Sequence, residues 1–169
     1  MFRVSSISRV GRLAAVFALT AVLAACAQNQ ESTGNVAIAG GVGASGPGTI
    51  QEFQVTVGDR VFFETDSPEL TAIARATLDR QVQWLLLYPQ YSVTIEGHAD
   101  ERGTREYNIA LGGRRAAAVQ SYLVSRGVVG SRISTISYGK ERPVAVCDDI
   151  SCWSQNRRAV TVVNAGAGV

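Results

Sequence analysis

The chain has 169 residues, 46% of them apolar and 18% charged, which is enough for one domain with a real core and excludes a wholly disordered protein. Three cysteines exclude a disulfide-dense scaffold, and a single histidine excludes a multi-histidine metal centre. The formal charge of +2 hints at a basic protein, but the N-terminal segment removes that hint.

Residues 1–25 read as an export signal. Arg3, Arg9 and Arg12 form a positive start with no acid, and residues 13–25 are an apolar run broken only by Thr20. That run is shorter than the roughly 20 residues of a membrane span and fits the apolar core of a signal peptide. It ends Leu23-Ala24-Ala25-Cys26, which resembles a bacterial lipobox. Cys26 is then the lipidated first residue of the mature chain, and Ala27 at the next position favours the outer membrane over the inner one. Without its signal the chain has a formal charge of −1, so no nucleic-acid partner is expected.

Residues 26–55 change character. Six glycines sit among Ala, Ser, Asn and Gln, Glu31 and Glu52 are the only charges, and no period of 2 or 3.6 persists. This reads as a flexible tether with a root-mean-square reach of roughly 30 Å. The folded domain is expected over 56–164, with 165–169 as a tail.

Within it, residues 57–63 read as a strand. Ser67 can cap a helix with Pro68 at its first position, and Leu70, Ile73, Leu78, Val82 and Leu85 give that helix an apolar stripe. It should stop at Tyr88-Pro89. Val93 and Ile95 alternate with polar residues as a second strand. Thr104 can cap a second helix ending at Gly127. Residues 133–138 and 159–164 read as third and fourth strands. The pattern predicts an α/β two-layer sandwich, without its strand order. Gly112 and Gly113 inside the second helix each cost about 1 kcal/mol relative to alanine. They imply either close helix–sheet packing or backbone access for a ligand.

The chemistry concentrates in Gly97-His98-Ala99-Asp100-Glu101-Arg102-Gly103-Thr104 and in the helix that follows. Asp100 precedes a helix N-terminus. Asn108, Leu111 and Arg115 share one helix face, being 3, 4 and 7 positions apart. A carboxylate and a guanidinium on one site suit a zwitterion, with ammonium on Asp100 and carboxylate on Arg115. A purely structural Asp–Arg pair fits the same residues.

Those stretches, with Tyr107-Asn108, Leu111-Gly112-Gly113-Arg114-Arg115-Ala116, Ser137-Tyr138-Gly139-Lys140-Glu141-Arg142-Pro143 and Asn156-Arg157-Arg158-Ala159-Val160, resemble the OmpA-like peptidoglycan-binding domain, most of all its lipid-anchored members. The resemblance runs over about 57–164. It implies a β-α-β-α-β-β domain with a four-stranded mixed sheet and two main helices on one face. It also implies a non-catalytic module, without cofactor, that binds the meso-diaminopimelate stem peptide of peptidoglycan. By motif position Asp100 would take the ammonium and Arg115 the carboxylate. Thr65 and Asp66 would offer backbone N–H groups helped by the first helix, Asn108 would order the loop, and Leu111 would line the site. Thr65 departs from the pattern, which usually has an aromatic residue there. TolB and the other Tol proteins are the implied protein partners. A lipoprotein of this family acting outside the Tol system is the alternative.

Other readings concern single residues. An exported chain meets an oxidising compartment, which favours a disulfide between Cys147 and Cys152 over two free thiols or a redox pair. Four residues separate them, not the two of a thioredoxin-like site. His98 with Asp100 makes an incomplete metal site, so His98 is expected to be a hydrogen-bonded structural histidine. Trp84 and Trp153 are expected to pack. Glu96 with Asp100 is the carboxylate pair a glycan hydrolase would use.

Overall fold

The computed structural model describes residues 46–165. The signal, Cys26, residues 27–45 and most of the expected tail lie outside the described residues.

Four strands form one mixed sheet: β1 (Arg60–Phe62), β2 (Tyr91–His98), β3 (Ile133–Gly139) and β4 (Arg158–Ala165). Their order is β1-β4-β2-β3. β4 runs antiparallel to both neighbours, and β2 and β3 are parallel. The helices α2 (Ala72–Leu87) and α3 (Arg105–Ser125) follow a short N-terminal turn α1 (Ile50–Glu52), and α4 (Ile150–Asn156) precedes β4. Val93 and Ile95 of β2, Ala159 and Val163 of β4, Leu78 and Leu85 of α2, and Ala116, Val119 and Leu123 of α3 form one core. The expected two-layer α/β sandwich with two main helices is the fold observed; α4 is an addition to it.

The folded body begins earlier than residue 56. Thr49 caps α1 by accepting from Glu52 N, and a π-helical stretch, Phe53–Gly58, follows. Phe53 is fully buried, its ring 4.9 Å from that of Trp84. Glu52 Oε2 accepts from Trp84 Nε1 at 2.9 Å and from Gly48 N at 2.6 Å. Residues 46–55 are thus packed chain rather than tether, because an aromatic anchor and a carboxylate find partners about 30 positions away. Trp84 packs as expected, stacked on Tyr91 at 5.1 Å.

Two helix and strand starts also move. The strand expected over 57–63 holds only Arg60–Phe62, since Gly58 takes φ +93° and breaks the extension. The cap of α2 is Thr71, which accepts from Ala74 N, not Ser67. Ser67 Oγ instead accepts from Glu69 N in a local turn. Leu70 therefore precedes the helix and Ile73 is 81% exposed, while Leu78, Val82 and Leu85 are buried as expected.

A polar residue completes the apolar face of α2. Gln81 is fully buried; its Nε2 donates to Gly58 O at 2.7 Å and its Oε1 accepts from Thr161 Oγ1 at 2.9 Å. It ties the N-terminal stretch to β4. Gln81→Leu fills the space but orphans a partly buried carbonyl and a buried hydroxyl. A loss of about 1–3 kcal/mol is expected in urea unfolding.

Candidate functional site

The C-terminal ends of β2 and β3 meet the N-terminus of α3 at one end of the sheet. α3 starts there because Thr104 Oγ1 accepts from Tyr107 N at 3.2 Å. It lies close because Gly112 faces Gly97 of β2 without a Cβ on either side. The functional-access alternative for Gly112 is thereby replaced by packing; nothing presses on Gly113 nearer than 4.0 Å.

Between these elements and residues 64–67 is a pocket of about 240 Å³. Thr65, Asp66, Asp100, Asn108, Leu111 and Arg115, the six residues singled out from sequence, all line it, joined by Arg102, Gly103 and Tyr107. Leu111 is 4% exposed and gives the pocket an apolar wall. Asn108 Nδ2 donates to Arg102 O at 2.8 Å and so holds the loop between β2 and α3.

Arg115 is completely buried. Its partners are three carbonyls: Nε donates to Ser67 O at 3.0 Å, Nη1 to His98 O at 2.8 Å and Nη2 to Glu64 O at 3.0 Å. The guanidinium therefore stitches the 64–67 turn to the end of β2. Burial pulls its pKa down to about 10, with Asp100 opposing and Arg157 adding to the fall. It remains charged at neutral pH. Three of its five N–H groups are used, which leaves two.

Asp100 is buried beside it and makes different bonds. Arg102 donates to it from Nη2 at 2.7 Å, Nε at 3.2 Å and its backbone N at 3.3 Å, and Arg157 Nη1 donates at 3.3 Å. Burial raises the carboxyl pKa, but the bonds from Arg102 and Arg157 outweigh it and hold the group below the usual carboxylate range. The site thus keeps one carboxylate and one guanidinium ionised side by side. Sequence reasoning missed Arg157, which also donates to Phe63 O at 3.1 Å. Its separation from Asp100 in the chain hides it, and the Asn156-Arg157-Arg158 motif was the available signal.

Asp66 takes φ 54°, so the turn there points its backbone into an unusual conformation, and Tyr107 Oη donates to its carboxylate. No helix start supports this turn, because α2 begins at Ala72, several residues later. The ring against Arg115 comes from Phe63, 5.2 Å away, rather than from position 65.

Several other expectations change. His98 is buried, yet among the described residues neither ring nitrogen has a hydrogen-bond partner; Glu96 Oε2 lies 3.7 Å from Nε2. Burial, with Arg158 and Arg142 adding, lowers its pKa to about 4. The unfolded chain then takes up a proton before the folded one. Stability is full above about pH 6.5 and falls on the order of 3 kcal/mol as pH drops toward 4. His98→Gln should flatten that window in denaturant midpoints measured against pH. Glu96 does not line the pocket that holds Asp100. Among the described residues no three His, Cys, Asp or Glu side chains are grouped to hold a metal ion.

Cys147 and Cys152 are bonded to each other, with Cα atoms 5.6 Å apart. The bridge leads into α4, whose Trp153 does more than pack. Its indole N–H donates to the Glu101 carboxylate, and the Arg102 guanidinium lies over its ring, 4.2 Å from the centre.

Comparison with known proteins places this geometry. Residues 62–161 match the OmpA family. The chain is 66% identical to a peptidoglycan-associated lipoprotein of Rhizobium meliloti over 89% of its length and 85% of that protein. It is 58% identical to the peptidoglycan-associated lipoprotein of Agrobacterium fabrum over 98% of its length and 95% of that protein. Among solved structures, the peptidoglycan-associated lipoprotein from Burkholderia pseudomallei superposes with a TM-score of 0.65 at 38% identity, covering 69% of this chain and 100% of that one. The C-terminal domain of Helicobacter pylori MotB shares the fold at 22% identity and a TM-score of 0.60, covering 64% of this chain and 86% of that one. A domain with this sheet order and pocket, matched along nearly its whole length by such relatives, belongs to the OmpA family, among the peptidoglycan-associated lipoproteins.

Proposed function

We propose that this chain is an outer-membrane lipoprotein, anchored by lipid on Cys26, that binds the diaminopimelate-containing stem peptide of peptidoglycan without cleaving it. The observation that carries the reading is the buried Arg115 beside the ionised Asp100 in one pocket of about 240 Å³. The free end of meso-diaminopimelate carries an ammonium and a carboxylate. Asp100 takes the first. The two N–H groups that Arg115 does not spend on carbonyls take the second. Leu111 packs on the methylene chain, and the turn at Thr65 and Asp66 offers backbone N–H groups to the peptide.

In this reading the stretch between Cys26 and Gly46 lets the folded body reach the wall while the lipid stays in the membrane. TolB and the other Tol proteins are the proposed protein partners, on the strength of the family resemblance. Two assays test the whole. The chain from residue 28 should sediment with purified peptidoglycan and release no soluble fragments from it. It should also retain TolB in a pull-down. Fragment release overturns the non-catalytic reading, and failure to retain TolB favours a role outside the Tol system.

A further inference from the structure

We infer that Arg102, backed by the ring of Trp153, is a latch on the pocket: its guanidinium occupies the place on Asp100 that a ligand ammonium takes, and must leave before that ammonium binds. The inference rests on the zwitterion reading of the pocket and adds to it an internal competitor and the residue that holds it.

An ionised carboxylate offers about four acceptor positions. On Asp100 four donors are already in place. Oδ1 accepts from Arg102 N at 3.3 Å and Arg102 Nε at 3.2 Å, and Oδ2 accepts from Arg102 Nη2 at 2.7 Å and Arg157 Nη1 at 3.3 Å. A new cation therefore has to displace one of them. Arg157 is the poor candidate, since its side chain is 6% exposed and its Nε is committed to Phe63 O. The Arg102 side chain is 42% exposed and can swing into solvent without leaving a buried charge.

The closed position has a second holder. Trp153 presents its ring to the Arg102 guanidinium at 4.2 Å, and its indole N–H is fixed by the Glu101 carboxylate. Trp153 follows directly on Cys152, whose bridge to Cys147 closes the loop entering α4. The guanidinium is thus held between the Asp100 carboxylate inside the pocket and an aromatic face that does not line it. Trp153 is a positioning residue in this scheme. It stabilises the closed latch and so lowers the fraction of molecules ready to bind, and with it the apparent affinity.

The scheme reverses the usual sign of a truncation. Trp153→Ala should bind a diaminopimelate-containing muropeptide roughly 2- to 5-fold more tightly than wild type, the worth of an exposed cation–π contact. Arg102→Ala should tighten binding further. Trp153→Phe keeps a ring and loses the indole N–H, and should bind like wild type. Titration calorimetry on the chain from residue 28, with circular dichroism to confirm folding, reads all three. Independently of any ligand, the Asp100 carboxyl in Trp153→Ala should titrate closer to the ordinary carboxylate value by carbon-detected NMR, because Arg102 spends less time on it. Unchanged or weaker binding by folded Trp153→Ala, beside a wild type that binds, overturns the latch and leaves the pocket reading intact. Tightening by Trp153→Phe as large as by Trp153→Ala overturns the role of the ring. A wild type that does not bind overturns the pocket reading itself, and the latch with it.

Discussion

Replacing Asp100 or Arg115 with Ala is expected to weaken binding of a diaminopimelate-containing muropeptide by roughly 30-fold or more. Truncating one partner of a buried charge-assisted contact costs about 2–5 kcal/mol, and the lower figure already gives that factor. The two positions differ in what else they carry. Arg115 holds three carbonyls, from Glu64, Ser67 and His98, on one planar fork. Arg115→Lys keeps the charge but cannot reproduce the fork, so a ligand carboxylate and the turn at 64–67 compete for its donors. Arg115→Ala removes the fork altogether and should also lower stability by about 2 kcal/mol, since the buried His98 carbonyl and the partly buried bonds to Glu64 and Ser67 lose their donor. Asp100→Ala leaves Arg157 buried beside no carboxylate, which is why Asp100→Asn is the milder comparison. Calorimetry on variants shown to be folded separates loss of the site from loss of the fold. Wild-type affinity in folded Asp100 and Arg115 variants contradicts the assignment.

Gly97→Ala is expected to be the most damaging single methyl group in the domain. A Cβ at position 97 lies 1.9 Å from Gly112 O and 2.6 Å from Gly112 C. The obstacle is backbone in the middle of α3, so no side chain can turn aside. β2 and α3 would have to separate, opening the core at Ile95 and Ala116, both fully buried. Overpacking against a fixed backbone belongs with the largest point-mutant effects, about 4 kcal/mol or more. Gly113→Ala supplies the control. Its Cβ meets nothing nearer than Ser137 Cβ at 4.0 Å, and replacing a helical glycine gains up to about 1 kcal/mol. Thermal unfolding of the pair should therefore move in opposite directions. Equal behaviour contradicts the packing account of Gly97 and Gly112.

The parts of the fold that depend on near neighbours were legible in the sequence. Thr104 as a cap, the Val93 and Ile95 alternation, the stop at Tyr88-Pro89 and the helical face of Asn108, Leu111 and Arg115 are all set by contacts within a few residues. Where two local signals competed, sequence alone chose wrongly. Ser67 and Thr71 are both competent caps, and the helix begins at Thr71 because Ser67 is spent on a turn to Glu69. The packed stretch from residue 46 was hidden for another reason. Its glycines suggest a tether, and what fixes it is burial of Phe53 on Trp84 and the bond from Trp84 to Glu52. α4 is only seven residues long and gives too short a pattern to read.

The candidate pocket divides the same way. Its lining followed from a motif that keeps Asp100, Asn108, Leu111 and Arg115 within 16 positions of one another. The bonds that tune it come from far away in the chain: Arg157 to Asp100, and Arg115 to the carbonyls of Glu64 and Ser67. No spacing rule carries such pairs. His98 shows the converse, a residue that looked like a satisfied core histidine and is buried with both ring nitrogens unpartnered among the described residues.

On the proposed function, the pocket reads both charges at the free end of diaminopimelate. This is tested most directly by titrating the chain from residue 28 with two muropeptides that differ only there, one carrying meso-diaminopimelate and one carrying lysine. Lysine keeps the ammonium for Asp100 and lacks the carboxylate for Arg115. The lysine form should bind roughly 30-fold or more weakly. Equal binding of the two would show that the carboxylate is not recognised and would contradict the role given to Arg115.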